Sequence, residues 1–163
     1  MKKSIVMIAI IVVLLIAAAS IFYYVVNHRE SPDFKEGLLT PIGITIIDDT
    51  SRPLIQGSSL REGEKEIKDA IVAKTLYMEL EKAQLQKATK KDMQDISSTD
   101  RLYSIKALYN EGDSASGRIE NIEIRKDGSF VVSKLIDGKQ QYAKGQFGAY
   151  TIDYLIGLYT LNE

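Results

Sequence analysis

Two acids and two hydroxyls stand in a row at Asp48, Asp49, Thr50 and Ser51, with Arg52 next. Such a group could ligate a hard cation such as Ca²⁺, which takes about six to eight oxygens. The same residue types also make ordinary turns, each short side chain bonding a nearby amide. No D-x-D-x-D-G pattern and no second acidic cluster at EF-hand spacing accompanies them, so the turn is the better reading. Asp153 is the only charge between Gly145 and Asn162. A carboxylate buried there would have a raised pKa and could act as an acid. Read as a strand, however, the segment points Asp153 and Thr151 away from the Tyr150, Ile152, Tyr154 side, which favours an outward-facing acid.

The other catalytic chemistries lack their parts. His28 is the only histidine. It follows a long apolar run, whereas a Ser–His–Asp arrangement needs its imidazole within about 3 Å of a nucleophile in a packed site. With one histidine and no cysteine, zinc, copper and haem sites built on several such ligands are excluded. Disulfides, thiol nucleophiles and lipoprotein-type acylation are excluded too. No Gly-x-Gly-x-x-Gly, Walker-type or Gly-x-Ser-x-Gly pattern occurs. Ser114 and Ser116 have no base beside them, and a surface loop accounts for them. No catalytic, cofactor or metal residue is therefore assigned.

Tyrosine is the remaining candidate. Seven of the nine tyrosines lie beyond residue 26. Tyrosine joins a large apolar area to a polar tip and is enriched at interfaces, although strands favour it anyway. Tyr150, Tyr154 and Tyr159 in the last segment form the candidate protein interface. Tyrosines could equally line a sugar or peptide groove.

The elements that would position these residues follow from period and punctuation. Ile42 to Asp49 is β-branched and reads as a strand ending in a turn. Glu64 to Gln86 has no Pro or Gly. Wound at about 100° per residue, its polar residues fall in one narrow arc, with Glu64 and Lys68 as an i,i+4 pair. Its apolar sector is wider than the ~100° needed to touch one neighbour, so it must pack on a sheet and on something else. Thr89 with Asp92 resembles a capping box opening a short helix to Ile96. Arg101 to Tyr109 alternates as a strand, and Gly112 to Gly117 is a loop. Asp127-Gly128 and Asp137-Gly138 are hairpin turns around a strand from Phe130 to Ile136. The segment Gly148 to Asn162 alternates Tyr150, Ile152, Tyr154 and Ile156 and reads as a strand covered on both faces. The fold class is α+β: one N-terminal transmembrane helix, then a helical segment packed on a mostly antiparallel sheet of four to six strands.

The N-terminus sets the setting. Ile5 to Val26 is 22 residues without a charge, and 14 of them are Ile, Leu, Val or Phe. As a helix this run would be roughly 33 Å long, close to the apolar thickness of a bilayer. Its insertion is worth on the order of −4 to −8 kcal/mol. Lys2 and Lys3 before it, against Arg29 and Glu30 after it, place the N-terminus inside. A cleaved signal peptide is the competing reading, with Ala17-Ala18-Ala19 as its small-residue site. The run continues apolar past Ala19, which favours an uncut anchor.

Beyond residue 29 there are 18 basic and 22 acidic residues, a net charge of −4. That balance argues against nucleic acid as a partner. The domain plan is a cytoplasmic start and transmembrane anchor at 1–26, a juxtamembrane stalk at 27–41, and an extracytoplasmic α+β domain at 42–163. The short basic start, direct anchor and lack of cysteine suggest a bacterial cell envelope. At the level of layout the chain resembles the exported half of bitopic secretion-channel components; no motif residue carries the likeness, so it transfers no site. Lipid is the expected partner of Ile5 to Val26, and a protein partner or self-association is expected of the domain. Two further readings stay open: a membrane-tethered small-ligand-binding or sensory domain, and a carboxylate-only hydrolase.

Overall fold

The computed structural model describes residues 12–23, 32–48, 56, 60, 62–96 and 100–161. Residues 12–23 are helical (α1) and exposed on every side, from Val12 at 47% to Tyr23 at 72%. They cover the middle of the Ile5 to Val26 run; the rest of that run lies outside the described residues. Among the described residues no helix is long and apolar enough to cross a membrane. A short turn of helix, α2 (Pro32–Lys35), then leads into the domain.

The domain is α+β, built on a seven-stranded antiparallel sheet with strand order β2-β1-β4-β5-β6-β7-β3. Its strands are β1 (Gly43–Ile47), β2 (Lys65–Ile67), β3 (Gln86–Ala88), β4 (Arg101–Leu108), β5 (Ile119–Arg125), β6 (Ser129–Ile136) and β7 (Lys139–Gln146). The helices among them are α3 (Ala70–Lys82), α4 (Lys90–Gln94) and α5 (Ala149–Leu161). The β6–β7 turn holds Asp137 at φ 47 and Gly138 at φ 74. Two successive positive φ values match the right-handed strand twist, which is why Asp-Gly is favoured there.

Three expectations are corrected. The sheet has more strands than the four to six expected: Lys65–Ile67, expected within one long helix from Glu64 to Gln86, forms β2, and Gln86, the last residue of that helix, opens β3. That helix starts instead at Ala70, where Asp69 caps it by accepting from the amides of Ile71 (2.7 Å) and Val72 (3.3 Å). Glu64 and Lys68 therefore do not pair along a helix; Lys68 meets Glu66 at 2.6 Å. The last segment is a helix, not a strand. Thr151, Ile152 and Leu155 are buried, with Leu158 and Tyr159 packed against the core, a spacing of three to four residues that also contains the alternation read as period two.

One face of the sheet carries the core. Ile44, Ile46, Ile105, Ile122, Ile124 and Val132 are all buried there, and α3 lays Val72, Ala73, Leu76 and Leu80 on them. Phe130 stacks on Phe147 with ring centroids 4.1 Å apart. Residues 34–41, expected as the end of a stalk, lie against this domain. Phe34 is 1% exposed. The Lys35 ammonium donates to the carbonyls of Glu81 and Ala83 at the end of α3, where a cation is favoured. Lys134, fully buried on the core face, donates to the Glu36 carbonyl at 3.0 Å and lies 4.9 Å from the Phe34 ring centroid. The Leu39 amide donates to the Gly117 carbonyl at 2.9 Å.

Candidate functional site

The chemistry-bearing residues do not converge. Asp49, Thr50, Ser51, Arg52 and His28 lie outside the described residues, and Asp48, just past the end of β1, is half-buried. Ser114 accepts from the Ser116 amide at 3.1 Å, a local loop contact. Asp153 is exposed on α5, so its outward orientation holds on a helix. No group of three or more His, Asp or Glu among the described residues could hold a metal ion.

The tyrosines divide by environment. Burial pushes the Tyr109 phenol up to about 12. Its oxygen accepts from the Ile119 amide at 2.8 Å, tying strand to strand. Burial, then the nearby Asp48 charge, raises Tyr103. Tyr159 packs on Tyr103 with centroids 5.1 Å apart and donates to the Gly63 carbonyl at 2.9 Å. Tyr150 is 79% exposed and Tyr154 half-buried, its phenol raised first by burial and then by Asp69. On a helix Tyr150 and Tyr154 are about 40° apart, while Tyr159 is on the far side from Tyr150. The three candidate interface residues thus separate: two look outward or sideways, and one is part of the packing.

The outer side of α5 carries Tyr150, Ile156 and Leu161, the last 86% exposed. The neighbouring α3, reached where Thr151 donates to Glu79 at 3.3 Å, leaves Ile71 (76%) and Met78 (43%) exposed. The wide apolar sector expected of α3 is real, but only part of it is covered. Large exposed apolar side chains on a helix are a feature of contact surfaces.

The opposite face of the sheet mixes polar and apolar residues. Register places Ile47, Ser104, Glu123, Val131, Lys144 and Gln86 in one row across it. Ser104 donates to Glu123 at 2.9 Å, and Asn121 donates to the same carboxylate oxygen. Arg101 approaches the other oxygen at 4.0 Å. Beside this network α4 rests on Val131, with Ala88 and Ile96 buried there and Met93 and Tyr142 packed against them. Between α4, the end of α3 and the strands lies an open hollow of about 760 Å³, bordered by Asp92, Asp95, Arg125, Ser129, Lys144 and Gln146. Asp92 is held below the usual carboxylate range, chiefly by Thr89, whose hydroxyl and amide both donate to it; Lys144 adds to this at 3.2 Å. Between α3 and the sheet the gap is only about 10 Å³. Local sequence signals do not reveal the hollow, because its walls come from segments far apart in the chain; only the Thr89–Asp92 box at its edge was legible.

No family model matches the chain, and no match was found among curated proteins or solved structures.

Proposed function

We propose that this chain is a single-pass membrane-anchored component of the bacterial cell envelope that presents its α+β domain outside the cytoplasm to bind another protein or a second copy of itself, without catalysis. The observation that carries the reading is the apolar N-terminal run. Its described part is a helix that no described residue of the domain covers. A helix apolar all round needs a core or a membrane, and residues 12–23 have no core around them. The short run from Tyr23 to the packed Phe34 would keep the domain close to the lipid surface. Binding is assigned to the outer side of α5, through Tyr150 and Tyr154; Tyr159 supports that helix from within.

The hydrolase reading has less support. It needs two carboxylates about 5–10 Å apart in a cleft, one of them protonated near neutrality. Asp92 and Asp95 both border the hollow, but Asp92 is held in its charged form.

The test is membrane fractionation with sidedness. The full chain should stay with membranes after alkaline carbonate extraction, and external protease should digest the domain in sealed, right-side-out preparations. A soluble mature chain starting at Ser20 would refute the anchor. Digestion solely from the cytoplasmic side would refute the orientation.

A further inference from the structure

We infer that the occupant of the α5 surface is a second copy of this chain, which docks there with the outer stripe of its own α3, Lys74 meeting Asp153. The inference rests on the α5 reading above and goes beyond it by naming the partner and its counter-surface.

The first support is matched opposite charge. Asp153 is the single charge of α5, on the side away from the buried Thr151, Ile152 and Leu155. It lies among the exposed Tyr150, Ile156 and Leu161. On α3 the sign is reversed. Lys74 is the one charge between the exposed Ile71 and Met78, on the side away from the buried Val72, Ala73, Leu76 and Leu80. The spacing is the same on both helices. Ile71, Lys74 and Met78 run i, i+3, i+7, as do Tyr150, Asp153 and Gly157, so each set shares one side of its helix. Neither Lys74 nor Asp153 has an ion partner among the described residues, whereas Lys82 is matched by Glu79 at 2.7 Å and Lys68 by Glu66 at 2.6 Å. Opposite charges set in otherwise apolar stripes select a partner and fix its register. A foreign protein could also present a lysine; the equal spacing on this chain's own α3 favours a copy.

The second support is Gly157, one turn beyond Asp153. Glycine inside a helix weakens it. A Cβ at Gly157 would meet nothing within 4 Å, so the fold of the chain itself does not require the gap. A gap on the crest of a helix shortens the distance at which a second helix can cross it. The contact of two short helices is small for a free dimer, but copies tethered in one membrane meet at a raised effective concentration. Both helices pack on the same face of the sheet, so each copy can offer α3 and receive on α5.

The experiment reconstitutes the full chain in phosphatidylcholine vesicles and reads energy transfer between donor- and acceptor-labelled copies. The chain has no cysteine, so a label on Lys139→Cys, at an exposed turn, is unique. Transfer should fall when unlabelled chain is added at constant label density. Asp153→Lys and Lys74→Glu should each weaken association about tenfold or more, and the chain carrying both should recover it. Gly157→Leu should weaken it too, with its thermal midpoint unchanged or raised. Circular dichroism checks that each variant folds. No competable transfer in the unmodified chain overturns the proposal. So does transfer that neither charge reversal changes, as contact through the membrane helices alone would give, and so does failure of the double reversal to recover it. A photo-crosslinker at position 150 separates this inference from the reading beneath it. Adducts with a different protein alone overturn the second copy and leave the α5 surface standing; no protein adduct overturns both.

Discussion

The two faces of one sheet solve different problems with alternate residues of the same strands. Ile105 is fully buried under the helices; Ser104, one residue before it, is buried on the other side in a bond to Glu123. On the helix-covered face the gap beneath α3 is about 10 Å³. By the end of β7 a hollow of about 760 Å³, walled by α4 on the opposite face and by the end of α3 and Phe130 on the core face, is edged with charges and amides. Apolar groups close-pack without regard to direction, so that face seals. Polar groups each need a directed partner, so that face is held by discrete contacts such as Ser104–Glu123 and Thr89–Asp92 rather than by close packing. The difference puts the close-packed core on one side of β4, β5 and β6 and directed polar contacts on the other.

The comparison breaks most directly at those two neighbours. Ile105→Ala removes a fully buried side chain and should cost about 2–5 kcal/mol in urea unfolding. A loss under about 1 kcal/mol would mean that the packed face is not what holds the fold. Ser104→Ala should cost less, about 1–3 kcal/mol, because it leaves the Glu123 carboxylate short of a donor inside the protein. A Ser104 loss larger than that of Ile105 would invert the assignment of the faces.

Tyr109 sharpens the boundary between them. Its phenol is raised to about 12 by burial, so the neutral form is the one the fold stabilises. That contribution is complete below the ordinary value of 10.0 and should be lost as pH rises from there through about 12. Denaturant midpoints measured across that window should fall in the unmodified chain, and Tyr109→Phe should flatten the fall. An identical decline in both would remove Tyr109 from the account. The smallest effect is expected at Lys144→Gln. Its pair with Asp92 is partly exposed, so the change should cost no more than about 1 kcal/mol. A much larger loss would show the polar face to be structural after all.

Much of this was legible in the sequence, and the misses have physical causes. The Asp-Gly turns, β1, β4, β6 and the Thr89 cap carry their own local chemistry, and they form where their residues indicate. The edge strands β2 and β3 are three residues each, too short to impose a period against the helical one beside them. Asp69 was the missed signal: as a cap it dates the start of α3 and frees Lys65 to Ile67 for the sheet. The α5 segment is apolar at both periods, so alternation alone could not choose, and tertiary packing did. That choice turned Tyr159 inward and Tyr150 outward. The hollow had no linear signature, since its walls come from α3, α4 and strands far apart in the chain.

The central claim is that a tethered domain offers the outer side of α5 to a protein. A photo-crosslinking amino acid placed at position 150, and separately at 159, in intact cells making the full chain tests it most directly. The account expects position 150 to yield one reproducible protein adduct, another copy included, in the membrane fraction, and position 159 to yield none. Adducts at 159 but not at 150, or lipid adducts alone at both, would contradict it.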